Sequence, residues 1–482
     1  MFDLRPIGYV IGLLVTVLGA AMLFPLLIEL VDGTDHWYVF LESAIITCGF
    51  GGLMALACAN GVQDRLSIQQ TFFLTTAVWV ALPLFGAIPF VIGATEARYV
   101  DAFFEAMSGL TTTGSTVFSG LDELPRGLLF WRSLLQWFGG IGIIVVAMAF
   151  LPELRVGGMQ IFRSEAFDTG GKVLPRAAEI ASRISVVYFA LTILCVIAYL
   201  AVGMNGFDAV NHALTTLSTG GFSTHDASFG VFQGPAEYVA GVFMILASLP
   251  FVRYVQLLAG SARPLFVDSQ VRVYLAVNFG LILLIAGFRI FVNDDAPEHS
   301  LREAIFNVTS IITGTGYSSV DYQLWGTFPV MMFFFLGLIG GCAGSTSCSI
   351  KIFRYQLLFS SIRTQVRRIQ SPNGIFIPRY DGRPVAEDVL SSVMTFFVAF
   401  VVSLGVVAVA LGLTGLDFIT SVSGAATAIA NVGPGLGDTI GPSGNFSSLN
   451  DTAKWVLSFA MLAGRLELMA VYVLFTFWFW RS

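Results

Sequence analysis

Ten apolar runs, each about long enough to cross a bilayer, constrain this chain more than any other feature. They lie near residues 8–28, 38–59, 68–93, 127–151, 184–203, 237–259, 272–292, 326–350, 391–412 and 453–479. A membrane-spanning helix needs about 20 mostly apolar residues. Charged residues are 12% of the 482 positions, about half the share usual in a soluble domain. A soluble protein cannot hide so much apolar surface, because it still needs a wettable exterior. The expected fold is therefore an all-α polytopic membrane protein. The first run follows Arg5 and lacks a small-residue cleavage site before Glu29, so it reads as a retained helix rather than a signal peptide.

An even number of spans puts both termini on one side. If that side is cytoplasmic, the inner segments hold 18 of the 25 basic residues, concentrated in 151–183 and 351–390. The outer segments are acidic, with Asp32, Asp35, Asp122, Glu123, Asp294, Asp295 and Glu298 among others. The positive-inside bias then places the termini in the cytoplasm. The two basic stretches are long enough to dock a cytoplasmic partner, although plain positive-inside bias explains them equally well. A net charge of -6 gives no sign of nucleic-acid binding. Cys48, Cys58, Cys195, Cys342 and Cys348 are odd in number and lack zinc-ligand spacing, so they read as small buried hydrophobes. No phosphate-binding loop, zinc cluster or nucleophile elbow is present, which argues against an enzyme.

Four outer segments are more ordered than loops need to be. Each has a short helix-like stretch followed by a turn rich in Thr and Gly, and aligning the turns places Gly114, Gly221, Gly316 and Gly433 in register. Six residues before each glycine stands a small hydroxyl residue: Ser108, Thr215, Ser310 and Thr427. The glycines are 107, 95 and 117 residues apart, room for two spans, an inner link and a re-entrant helix. One such turn alone would be an ordinary connection, so the argument rests on the repetition. The chain divides into an extra N-terminal pair of spans (1–66) and four pseudo-symmetric helix–pore helix–helix repeats. These are 67–152, 153–262 with a cytoplasmic lead-in, 263–352, and 353–482 with a second lead-in.

Unpaired backbone in hydrocarbon costs several kcal/mol per group, so such turns must be buried in protein or line water. Four units around one axis satisfy this if the turns meet at a central pore. Threonine and glycine carbonyls there can replace the hydration shell of an alkali cation. Each half-helix would also point its partly negative C-terminus at the ion.

These residues resemble the membrane subunits of Trk-type bacterial potassium uptake systems, the TrkH/TrkG group of the Trk/Ktr/HKT superfamily. The matches are Leu110 to Ser115, Leu217 to Asp226, Asn431 to Gly437, and Met461 to Glu467. The likeness covers essentially the whole chain. It implies a selectivity filter of Thr112, Thr113, Gly114, Thr219, Gly220, Gly221, Gly314, Thr315, Gly316, Asn431, Val432 and Gly433, with potassium as the bound ion and no covalent cofactor. The fourth turn departs in carrying Asn431-Val432, and no turn has the longer Thr-Val-Gly-Tyr-Gly sequence. Modest preference for K⁺ and Rb⁺ over Na⁺ is therefore expected. The resemblance also implies an intramembrane gate in the second span of the third repeat, at Gly340, Gly341, Gly344, Ser345, Thr346 and Ser347. Poor helix propensity there agrees, although close helix packing through small residues is the other reading. Arg465, a charge inside the last span, would face the pore and hold the gate loop, or else form a structural salt bridge. His212 and His225 have no metal partners at useful spacing and read as structural.

The function implied is potassium uptake through a gated pore in the bacterial inner membrane, with both termini cytoplasmic. The alternative is a proton- or sodium-coupled potassium symporter. The partners implied are a second copy of the chain, as a homodimer, and a soluble nucleotide-binding regulatory subunit of the TrkA type.

Overall fold

The computed structural model describes residues 3–61, 66–147, 157–159 and 173–481. Much of the first basic inner stretch, 151–183, lies outside the described residues. The N-terminal pair consists of Arg5–Ala21 with its continuation Leu23–Asp32, packed on Trp37–Cys58. Small residues let the two backbones approach. A Cβ on Gly12 would fall under 3.0 Å from backbone atoms of Gly51 and Ala55, the packing expected where lipid gives helices no hydrophobic reason to associate.

Four half-length helices follow the pattern expected of re-entrant elements: Tyr99–Leu110, Gly206–Leu217, Pro297–Thr313 and Phe418–Ala430. We call them the first to fourth pore helices. The first two have 12 residues each, about 18 Å at 1.5 Å per residue, too short to cross a bilayer. Their starts are set by local chemistry. Asn205 accepts a hydrogen bond from the Asp208 N–H and Asp417 accepts from Ile419 and Thr420, while Pro297 opens the third helix. Packing is cyclic. The second span of the first repeat lies on the second pore helix, that of the second repeat on the third, and that of the fourth on the first.

Only part of the ten-span expectation survives as straight helices. Among the described residues, seven helices are long and apolar enough to cross a membrane. The second spans of the last three repeats all break. Pro235–Ala247 turns by 89° into Phe251–Leu258, because Pro250 cannot continue a helix and biases the preceding residue to extended backbone. Asp451–Arg465 turns by 107° into Met469–Phe475 at Glu467 and Leu468, which have φ of 66° and 51°. In the third repeat, Thr327–Leu336 ends and Gly337–Lys351 carries no helix.

That non-helical segment is tied into its surroundings at several points. The Gly340 N–H donates to the Ile350 carbonyl at 2.9 Å and the Ile350 N–H donates to the Leu338 carbonyl at 3.3 Å, a strand-like bridge between Ile339 and Ile350. The Cys342 and Thr346 N–H groups donate to Ser248 and Ala247 at 3.0 and 3.3 Å, using carbonyls freed by the break in the second repeat. Ser349 donates to Ala430 at the end of the fourth pore helix, and Phe251 donates to Gly344, both within 3.0 Å. Irregular backbone is tolerated at membrane depth only when protein or water satisfies it this way.

Candidate functional site: four turns around one axis

All four pore helices end identically. The N–H of the residue before each ring glycine bonds the carbonyl five residues back: Thr113 to Ser108 at 2.8 Å, Gly220 to Thr215 at 2.9 Å, Thr315 to Ser310 at 2.9 Å and Val432 to Thr427 at 3.0 Å. One residue earlier, Thr112, Thr219, Gly314 and Asn431 take left-handed φ of 51°, 51°, 75° and 53°. This is a Schellman ending, and it explains why a recurring position six residues upstream was visible in the sequence. Three of these left-handed positions are not glycine, a strained choice that persists only when the surroundings hold it.

The four ring glycines then close a circle. Gly114, Gly221, Gly316 and Gly433 have φ of 84°, 78°, 80° and 106°. A Cβ on Gly114 would collide with the Gly220 carbonyl, on Gly221 with Thr315, on Gly316 with Val432, and on Gly433 with Thr113, each under 3.0 Å. Each glycine thus vacates the space its neighbour's carbonyl occupies, repeat by repeat, until the fourth meets the first. The same four glycines line one cavity of about 270 Å³. The closure between the last and first turns is reinforced by side chains. Asn431 Nδ2 donates to Thr113 Oγ1 at 2.9 Å and Ser115 Oγ to the Gly433 carbonyl at 2.8 Å.

Beneath the ring lies the non-helical segment. Thr112 Oγ1 is 3.7 Å from Cys348 Sγ. Gly340 must be glycine because a Cβ would strike the Cys348 carbonyl. The Gly341 N–H donates to Ser347 Oγ at 2.8 Å, Ser345 Oγ to the Cys342 carbonyl at 2.7 Å, and Thr346 Oγ1 to Ala247 at 3.0 Å. Gly344 turns with a φ of 73°. Arg465 joins this group. Its Nη1 reaches the Thr346 carbonyl at 3.3 Å and Cys348 Sγ at 2.5 Å, and its Nη2 reaches the Gly139 carbonyl at 3.3 Å. It is 4% exposed. Glu467, the nearby acid, pairs instead with Arg354 at 2.5 Å. The structure therefore brings Arg465 to one loop carbonyl, that of Thr346, and to the Cys348 thiol. Cys348 is more than a small hydrophobe, since it accepts from a guanidinium, and Cys48 and Cys58 are only half-buried.

Several positioning residues, apart from His212, were not singled out in the sequence. Glu105 accepts from the Val117 N–H at 2.9 Å and from buried Arg132 at 2.8 Å. His212 bonds Ser223 Oγ at 3.0 Å, and Asn307 bonds Ser319 through both its amide atoms. All three stand nine residues before a ring glycine and tie the strand leaving the ring back to its pore helix. In the fourth repeat Ser423, ten before, does the same through the Leu436 N–H at 2.9 Å. Gln136 clamps the second turn, donating to the Gly220 carbonyl at 2.6 Å and accepting from Phe222 at 3.0 Å. A polar residue nine positions ahead of the glycine in the first three repeats, and ten ahead in the fourth, was the available signal, but its identity changes between repeats. In the wall of the same cavity, His225 lies between Asp122 and Asp208. Partial burial opposes its charge, but these two carboxylates outweigh that and raise its pKa. Both histidines are thus structural partners, and no metal-ligating cluster occurs among the described residues.

Four re-entrant half-helices closed around one axis define a polytopic membrane pore protein. A family model described as TrkH, cation transport protein, matches residues 36–479, and the chain belongs to that family. It is 42% identical to the Trk system potassium uptake protein TrkI of Halomonas elongata, over 99% of this chain and 97% of that one. It is 35% identical to TrkH of Escherichia coli strain K12, covering 99% of each. The crystal structure of the potassium transporter TrkH from Vibrio parahaemolyticus superposes with a TM-score of 0.92 at 32% identity, covering 100% of both chains.

Proposed function

We propose that this chain carries potassium into the bacterial cell through the four-turn ring, with modest preference for K⁺ and Rb⁺ over Na⁺. The observation that supports this best is the glycine-to-carbonyl circle, which brings uncharged oxygens from all four repeats to one opening. Such oxygens suit a weakly hydrated alkali cation. Relatives named as potassium uptake proteins support the choice of ion. In this reading Thr112 to Gly114, Thr219 to Gly221, Gly314 to Gly316 and Asn431 to Gly433 form the filter. The loop from Gly340 to Ser347 is the gate below it. Arg465 pins that loop by the Thr346 carbonyl and the Cys348 thiol and sets a positive charge in the ion's path.

The repeat boundaries expected from the sequence, the cytoplasmic termini, a homodimer and a TrkA-type regulatory ring belong to the same proposal. The basic helix Ile352–Gln370, which leaves the loop directly through Lys351, is the surface proposed to meet that ring. The test is ⁸⁶Rb⁺ flux into proteoliposomes, with K⁺ and Na⁺ as competitors and no pH or Na⁺ gradient. Flux should follow the K⁺ gradient alone, and an absolute requirement for a proton or sodium gradient would favour the symporter instead. Gly316→Ser should lower K⁺ over Na⁺ preference and Arg465→Ala should raise flux. Unchanged preference or unchanged flux would remove the filter or the gate role respectively.

A further inference from the structure

A groove of about 400 Å³ runs between the first N-terminal helix, the first span of the first repeat and that repeat's second span. Its mouth is Leu14 and Val17, which are 38% and 60% exposed on a membrane-spanning helix. Its floor is Trp79 and Leu110, 6% and 2% exposed. No charged side chain lines it among the described residues. Water gains too few partners in such a space to be held there. The mouth is continuous with the surface that these spans turn to lipid, so hydrocarbon is the solvent at its entrance. We propose that this groove is a binding site for one acyl chain of a bilayer phospholipid.

The floor is also the packing of Arg465. The guanidinium lies 5.8 Å from the Trp79 ring centroid and donates to the Gly139 carbonyl. Gly139 in turn sits against the carbonyl of Leu110, the last residue of the first pore helix. An acyl chain in the groove therefore touches the residues that hold both the arginine and the approach to the first turn. Its influence on conduction rests on the gate role proposed for Arg465, whereas the binding site does not.

The experiment uses the full chain in vesicles doped with phosphatidylcholine that carries a diazirine on its acyl chain. After irradiation, mass spectrometry should find label in residues 74–82 and 138–146, besides lipid-facing helices such as Glu387–Leu413. Gly142→Leu fills the groove, since a Cβ there meets only the Trp79 ring at 3.6 Å or more. It should cut label in 74–82 and 138–146 severalfold and leave Glu387–Leu413 unchanged. If that variant fails to elute as a folded particle, Val78→Phe fills the groove from the opposite wall. Absence of label from the two segments, or equal label with and without the filling side chain, would overturn the site. Label from a diazirine free fatty acid but not from the phospholipid would overturn the stated occupant. Unchanged ⁸⁶Rb⁺ flux in a filled, folded variant would overturn the link to Arg465, independently of whether the pore conducts.

Discussion

Arg354 and Glu467 form a buried ion pair beside the kink in the last span. Arg354 is 0% exposed, stacks 3.8 Å from the Phe396 ring centroid and donates to the Gly157 carbonyl. Its carboxylate partner sits at the left-handed kink just after Arg465. Removing one member of a buried pair leaves the other charge uncompensated, which costs about 3–5 kcal/mol. Glu467→Gln should therefore lower the thermal midpoint in detergent markedly. The double variant Arg354→Met with Glu467→Gln should recover much of the loss. A double variant no better than Glu467→Gln would show that the pair's charge balance is not what holds the kink. The residue scale is also where sequence reading was weakest. Arg465 stood out because an apolar span surrounds it, but its partner atoms are carbonyls and a thiol, which no charge pattern announces. The expected span 453–479 runs straight through Glu467 and Leu468, because two consecutive non-glycine left-handed residues have no simple sequence signature.

Elements were more legible. The four turns emerged from spacing because a Schellman ending and a glycine-packed ring impose the same positions on every repeat. The breaks were less so: Pro250 marks one, the glycines of 337–344 mark another, and the last has no marker. Gly340→Ala tests the gate at this scale. Its Cβ would displace the Cys348 carbonyl from beneath the ring, so ⁸⁶Rb⁺ flux should rise severalfold, and unchanged flux would detach the loop from gating. The outer loop supplies a pH test. The raised pKa of His225 means that its charged form is favoured in the folded loop. That contribution is complete below the ordinary imidazole value and fades as pH rises through the raised one. The stability gap between the native chain and His225→Asn should thus be about 1 kcal/mol or less, larger at pH 6 than at pH 9 in thermal unfolding. A gap independent of pH would show that the ring acts only through its shape.

At the scale of the molecule, hydropathy and repetition sufficed for the architecture, because a bilayer leaves a chain few ways to satisfy its backbone. What they could not show was the order of neighbours around the axis or the support between repeats, which depends on side chains far apart in the sequence. One consequence follows from how the circle is joined. Its final seam is made by Asn431, Gly433 and Ser115, so a growing polypeptide has three quadrants in the membrane well before it has a hole. A product ending at Thr414 should insert yet pass no ⁸⁶Rb⁺, and supplying residues 415–482 as a separate polypeptide should restore some passage. A cell making this protein would thus be spared a leak during synthesis, since the opening comes into being only with the last stretch of chain.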